Sequence, residues 1–365
     1  MTVHIAPQTG NDSVIPVKVM IVDDSAFMRF AITQQLNEHP EIQVIGTASN
    51  GKEALKLIPE LQPDVITLDI EMPQMNGLTT LSRIMADFPR PVIMFSSLTK
   101  EGAAETIQAL LLGAVDFSAK PENRTDIREV MKDVISKILC AAKAKVRKIA
   151  RRPAAQIALA QSNFSDKQTQ LYRKHTPVVL IGSSTGGPGA LSEIVPALPA
   201  SFPSPVLIVQ HMPAGFTRSL ADRLNSISAL KVKEAEQGDQ LMVGQVLVAP
   251  GGFHMVVNEN GQIMLNQKAA VHGVRPAVDV TLTALVQRFG KNVVAVILTG
   301  MGSDGTHGAA LLHGDGGYVI AEHESTCVVW GMPRSVFEAG AASAVLPRPQ
   351  IAAALEAAVR RTTRT

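Results

Sequence analysis

The run "VKVMIVDDSAFMRFAITQQLNEHPEIQVIGTA", residues 17–48, holds the architecture in miniature. A short apolar strand ends in two aspartates, a helix-length amphipathic segment follows, and a second apolar strand closes the unit. The alternation continues through "VITLDI", "PVIMFSS" and "AVDFSAKP", with "GKEALKLIPELQP" among the intervening helices, until "TDIREVMKDVISKILCAAKAK" ends it. Strands this apolar suit burial on both faces. Alternation over about 120 residues therefore predicts a parallel α/β sheet with helices on both sides.

The composition then changes. Lys143, Lys145, Arg147, Lys148, Arg151 and Arg152 come without an intervening acid, and Pro153 and a Gln/Ser-rich stretch follow. This reads as a linker whose charge run faces solvent. From Pro177 a second strand–helix series starts with "TPVVLIGSS", "SPVLIVQH", "NVVAVILTGMGSDG" and "GGYVIAE", while "QVLVAPGGFHMVVNENGQIMLNQ" (245–267) has the Asn-Gly chemistry of an antiparallel hairpin. The expected layout is a disordered lead-in at 1–16, a first domain at 17–140, a basic and polar linker at 141–175 and a second domain at 176–360.

The 365 residues, 46% hydrophobic and 18% charged, suffice for two cores, and a net charge of +2 gives no reason to invoke nucleic acid or an anionic membrane. Cys140 and Cys327 suggest free thiols rather than a disulfide framework. The opening residues lack the basic start and apolar run of a signal peptide, and the apolar runs are far short of a membrane span. A soluble, cytoplasmic protein is expected.

In a doubly wound sheet, functional groups gather beyond the carboxyl ends of the strands. Asp23 and Asp24 end the first strand and Asp69 the third; three such carboxylates repel one another unless a cation such as Mg²⁺ sits among them. Ser96 and Lys120 end the fourth and fifth strands, placed to hold the oxygens of a phosphoryl group on Asp69. Any one of these acids alone could simply cap a helix. Five suitable residues, each at its own strand end, point to phosphoryl chemistry.

In the second half, "VVLIGSSTGGPG" (178–189) runs a buried strand into a Gly-rich turn and a helix. Gly182, Ser184 and Gly186 match G-x-S-x-G, a turn that exposes a serine near backbone N–H groups suited to an oxyanion. His211 ends the next strand and Asp304 follows a third, a base and an orienting carboxylate for that serine. The order Ser, His, Asp disfavours the α/β-hydrolase fold, whose order is Ser, Asp, His. His254 and His307, beside other Gly-rich turns, are alternative bases. A cofactor site competes: Gly300, Gly302 and Gly305 form a literal G-x-G-x-x-G, with Glu322 where a ribose-binding acid belongs. Asp304, however, would put negative charge where a pyrophosphate should meet helix N–H groups.

Residues 17–140 resemble a response-regulator receiver domain on the strength of Asp23-Asp24, Asp69 in "LDIEMPQMNG", Ser96, Phe117 and Lys120-Pro121. The resemblance implies a flavodoxin-like fold with a five-stranded parallel sheet, Mg²⁺-dependent transfer from a histidine kinase to Asp69, and a switch involving Ser96, Phe117 and Lys120. The second domain resembles the CheB family of chemotaxis protein-glutamate methylesterases in "IGSSTGGP", "VQHMP", "APGGFHM", "RPAVDV" and "TGMGSDG". That implies a mainly parallel α/β domain in which Ser184 is nucleophile, His211 base and Asp304 orienter, with Thr185 and Met301 assisting the oxyanion and no cofactor for the esterase. It implies hydrolysis of glutamate γ-methyl esters on methyl-accepting chemoreceptors, with glutamine deamidation as a second activity; the two-domain architecture adds the expectation that the receiver covers the Ser184 cleft until Asp69 is phosphorylated. The family pattern has Ala where this chain has Ser183, so two hydroxyls stand side by side. A receiver-linked oxidoreductase and a DNA-binding response regulator are the alternatives; the long strand–helix series offers no compact helix-turn-helix.

Overall fold

Val65–Asp69 and Val92–Ser96 are buried at every position, the pattern of strands covered on both faces. The computed structural model describes residues 15–97, 99–120, 127–144, 169–171 and 176–362. The expected lead-in up to residue 14, Pro121 and most of the linker lie outside them.

In the N-terminal unit β1 (Val17–Val22), α1 (Ala26–Asn37), β2 (Ile42–Ala48), α2 (Gly51–Leu61) and β3 (Val65–Asp69) come first. Then follow α3 (Gly77–Asp87), β4 (Val92–Ser96), α4 (Lys100–Leu111), β5 (Asp116–Ala119) and α5 (Ile127–Ala141). The parallel sheet has the order β2-β1-β3-β4-β5. Side-chain caps start the helices: Ser25 accepts from the Met28 amide, Asn50 from Glu53, Asn76 from Thr79 and Thr99 from Gly102. Since Ser25 caps α1, Asp23 and Asp24 are left for other work.

A two-residue strand, β6 (Gln170–Leu171), precedes β7 (Val178–Ser183), α6 (Gly187–Ile194), β8 (Val206–Gln210), α7 (Phe216–Ile227) and β9 (Lys231–Glu234). Next come β10 (Met242–Val243), β11 (Gln245–Val248), β12 (His254–Val257), β13 (Ile263–Asn266) and α8 (Val278–Phe289). The chain ends through β14 (Val293–Ile297), α9 (Thr306–Gly314), β15 (Tyr318–Glu322), α10 (Met332–Glu338), β16 (Ala344–Leu346) and α11 (Arg348–Thr362). The main sheet is parallel, in the order β16-β15-β14-β7-β8-β11-β9. Central β7 pairs with β14 on one side and β8 on the other, so the loops after these three strands open side by side where the winding reverses.

The expected hairpin is shorter than 245–267. Gln245–Val248 joins the main sheet in parallel with β8 and β9; only β12 and β13 pair antiparallel. All four residues of β11 are buried, which suits a central strand better than an edge hairpin.

The two units pack together. Helix α4 lies against α7 and α6, the Phe117 ring sits 4.5 Å from that of Phe216, and one apolar cluster includes Leu110, Phe117, Leu191 and Phe216. Elsewhere Glu322, fully buried, accepts from the Thr299 amide at 2.9 Å and from Arg348 Nε at 3.0 Å. The acid suggested for a ribose is thus committed to structure. Removing its cation strands a buried carboxylate, so Arg348→Met should lower unfolding stability by about 3–5 kcal/mol in urea titration; a loss under about 1 kcal/mol would contradict this account.

Candidate active site

The acidic cluster forms as the strand ends require. Ligand oxygens of Asp23, Asp24 and Asp69 all lie within 4.8 Å of one another. Asp23 and Asp69 are buried, and Asp23 Oδ2 has no hydrogen-bond partner among the described residues. Lys120 Nζ stands 2.6 Å from Asp69 Oδ2, and the Glu71 amide donates to Asp69 Oδ1 at 3.2 Å. Burial raises the Asp69 pKa to about 6 against the pull of Lys120, with Asp23 adding to the rise; burial likewise raises that of Asp23. An orphaned buried oxygen among three carboxylates fits a hard divalent cation such as Mg²⁺. Ser96 is buried at the next strand end and donates to the Gly102 carbonyl at 3.0 Å, tying β4 to the start of α4.

Ser184 follows β7 directly. Its amide donates to the Thr299 carbonyl at 3.1 Å, and the His211 amide donates to the Ser183 carbonyl at 3.1 Å, so the loops after β14, β7 and β8 are laced together. The turn needs its glycines. Gly186 has φ +77, and a Cβ there would meet Val328 at 2.6 Å; a Cβ on Gly187 would meet Gln210 Oε1 at 2.0 Å.

His211 Nε2 and Asp304 Oδ2 are 2.7 Å apart. Asp304 is buried and also accepts the amides of Val278 (2.6 Å) and Asp279 (2.9 Å) at the start of α8. Burial pushes its carboxyl pKa up, but the His211 contact and these two amides outweigh it, and the net shift is downward. Beside this pair His272 Nε2 reaches Asp279 Oδ2 at 2.8 Å, while the Gly308 amide donates to Asp279 Oδ1 at 2.8 Å. Asp304, Asp279 and His272 thus form a connected set beside the imidazole.

Ser184, His211 and Asp304 line one cleft of about 410 Å³, together with His272, Arg275 and Met301. No hydrogen bond joins Ser184 to His211 among the described residues; the bonded chain runs from imidazole to carboxylate and stops short of the hydroxyl. Nucleophile–base bonds are commonly loose without substrate. Ser183 points elsewhere: fully buried, it donates to Gln210 Oε1 at 2.7 Å. His254 is buried with Nε2 at 3.0 Å from the Ala269 carbonyl, and His307 lies exposed on α9; neither lines the cleft. Thr185 donates its hydroxyl to Asp116 of the N-terminal unit, and Met301 Sδ accepts from Ser136 Oγ at 3.7 Å. Burial pushes the thiols of Cys140, to about 11, and Cys327 upward, keeping both protonated.

Sequence reasoning missed Asp116, Phe216, Gln210, His272 and the role of Asp279. Asp279 stood inside "RPAVDV" and Gln210 directly before His211, but their partners come from distant segments. Asp116 and Phe216 meet only because the two units pack.

A five-stranded parallel sheet with a carboxylate cluster, packed against an α/β sheet that presents serine, histidine and aspartate in one cleft, defines a class: a receiver-type domain fused to a hydrolytic α/β domain. The response regulator receiver domain family matches residues 19–132, and the CheB methylesterase family matches residues 179–355. The protein-glutamate methylesterase/protein-glutamine glutaminase of Symbiobacterium thermophilum is 51% identical over 354 residues, 94% of this chain and 97% of that protein. The Archaeoglobus fulgidus protein of the same description is 46% identical over 342 residues, 92% of this chain and 96% of that one. The crystallised Thermotoga maritima CheB methylesterase catalytic domain is 50% identical and covers 50% of this chain and 97% of its own, with a TM-score of 0.49. The chain belongs to the CheB methylesterase family and is a carboxylic ester hydrolase. Among the described residues no helix is long and apolar enough to cross a membrane.

Two outcomes follow. Ser184→Ala should abolish ester hydrolysis, while Ser183→Ala should keep it within about fivefold, since a neutral buried hydrogen bond is worth about 1 kcal/mol; methanol release reversing that ranking would contradict this reading. The raised Asp69 pKa also sets a sign. Between about pH 4 and 6 the folded chain holds a proton that the unfolded chain has lost, so stability falls as pH rises through this window. Mg²⁺ should therefore raise the melting temperature more at pH 7 than at pH 4.5, and equal shifts would contradict the site.

Proposed function

We propose that the protein is a phosphorylation-controlled protein-glutamate methylesterase that hydrolyses glutamate γ-methyl esters on chemoreceptors and deamidates glutamine at such sites. The observation that carries this reading is the single cleft whose one wall holds Ser184 and the His211–Asp304 pair and whose other wall is the receiver's Asp116, Phe117, Asp133 and Lys137.

His211 Nδ1, the nitrogen not engaged by Asp304, takes the proton of Ser184 as the hydroxyl attacks the ester carbonyl. The carbonyl π bond opens to an oxyanion, which backbone amides at the turn around Thr185 and Met301 stabilise, each worth roughly 3 kcal/mol. On collapse the C–OCH₃ bond breaks and methoxide leaves as methanol with the proton from His211. Water, deprotonated by the same imidazole, attacks the acyl-serine; the C–Oγ bond breaks, the imidazolium returns the proton to Ser184, and glutamate is released. An amide takes the same path and releases ammonia. Asp304 stays ionised throughout, as its lowered pKa allows, holding the ring and stabilising its cationic form.

The receiver supplies the control. A chemotaxis histidine kinase donates the phosphoryl group: its P–N bond breaks as a P–O bond forms to Asp69. A divalent cation, when bound among Asp23, Asp24 and Asp69, supplies charge neutralisation for that transfer. Lys120 and Ser96 then serve phosphoryl oxygens. Lys120 leaves its simple pairing with the carboxylate, and Ser96 leaves the Gly102 carbonyl that ties it to α4. Both changes act on β5 and α4, the elements that carry Asp116 and Phe117 and pack on α7. A shift from mostly covered to mostly open needs only a few kcal/mol.

The Asp116 contact with Thr185 is the most direct latch, because it holds the residue next to the nucleophile. A hydrogen bond to a charged group is worth about 1.5–3 kcal/mol. Asp116→Ala should therefore raise methanol release without phosphodonor by about tenfold and shrink the further gain on adding one. Unchanged basal release, in a chain whose Asp69 still accepts phosphoryl, would sink the covering model.

A further inference from the structure

Gln210 is the last residue of β8 and 2% exposed, and its side chain makes three hydrogen bonds among the described residues, to Ser183, Ser184 and His211. Its Nε2 donates to the carbonyl of Ser184 at 3.0 Å and to the carbonyl of His211 at 3.2 Å. Its Oε1 accepts the Ser183 hydroxyl at 2.7 Å. A side-chain amide has two N–H donors, and both go to the main chain of the proposed nucleophile and base. The amide cannot be reversed without setting Oε1 against two carbonyl oxygens, so its orientation is fixed by chemistry. It has no room to swing, because the α6 backbone at Gly187 comes so close that even a Cβ would lie 2.0 Å from Oε1.

The consequence concerns distance. Ser184 and His211 sit on separate strands, and their side chains are aimed by the main chain that bears them. The strand register and the bond from the His211 amide to the Ser183 carbonyl hold those main chains at the sheet edge; past that bond, among the described residues, the Gln210 amide alone donates to both turns. We propose that Gln210 is a positioning residue: a buried clamp that fixes the spacing of Ser184 and His211 and so keeps the hydroxyl within reach of the imidazole when substrate enters. It touches no reacting atom. The inference rests on Ser184 and His211 being nucleophile and base.

Gln210→Glu is the sharpest test, because the introduced carboxyl keeps the shape and the acceptor for Ser183 but turns the donor end into an oxygen facing two carbonyls. The full chain is treated with a small phosphodonor and given a synthetic peptide carrying a glutamate γ-methyl ester, and methanol release is followed across pH. Misplacement by about 1 Å can cost about 100-fold. The expected result is kcat down about 10- to 100-fold, KM within about twofold, and the same yield of acyl phosphate on Asp69. The deficit relative to wild type should narrow as pH falls, when the protonated carboxyl again offers one donor. Gln210→Met, of similar length with no donor, should show the same loss at every pH, and it stands in if the first variant does not fold. A folded variant with wild-type kcat, a loss confined to KM, or a Gln210→Glu deficit that ignores pH overturns the proposal. A wild-type chain that releases no methanol instead defeats the esterase reading; normal wild-type turnover with an unimpaired variant defeats this inference alone.

Discussion

One buried carboxylate organises the cleft of the C-terminal unit. Asp304 lies under the loop after β14 and accepts two amides from the start of α8 as well as the edge of His211. A charge this deep is costly unless hydrogen bonds replace its water. Here backbone donors do so, and they come with the positive end of a helix. The carboxylate therefore stays ionised, and an ionised carboxylate in that place gives the imidazole one orientation. The same amides bind α8 to the loop, so the packing of a whole helix depends on the charge that serves the site.

The receiver uses the opposite arrangement. Asp23 and Asp69 are buried without enough donors, and Asp69 is held well above the ordinary carboxylate range. Such a site is strained toward whatever positive charge or phosphoryl chemistry relieves it. The two sites lie close in the chain, since Lys120 follows β5 directly and Asp116 begins it. A four-residue strand thus spans the distance from the acidic cluster to the cleft that Ser184 and His211 line. That economy of length is the physical basis for proposing that phosphorylation at one end loosens a contact at the other.

Much of this was legible in the sequence, for a specific reason. Strands such as "VVLI" and "VITLD" are apolar on both faces, which only covered parallel sheets permit, and residues that do chemistry in such sheets fall at strand ends. Asp69, Ser96, Ser184 and His211 could be named by counting to the end of a run. The hairpin was overextended because "QVLV" and "HMVV" look alike in composition, and only their partners distinguish a central parallel strand from a hairpin arm. Gln210 escaped notice because a glutamine beside a histidine carries no signal until its amide is seen between two carbonyls. Asp116 and Phe216 depend on how the two units pack against each other, which no local pattern encodes. Gly300, Gly302 and Gly305 imitated a dinucleotide motif, yet the acid that completed it, Glu322, is consumed by Arg348 and the Thr299 amide.

The central claim is that a serine, oriented toward a carboxylate-held imidazole, lies under a removable receiver. Labelling with an organophosphonate that reacts with activated serines, followed by peptide mass spectrometry, addresses it most directly. The account predicts an adduct on Ser184, forming several-fold faster once Asp69 carries phosphate. An adduct on Ser183 or elsewhere, or a labelling rate indifferent to phosphorylation, would contradict it.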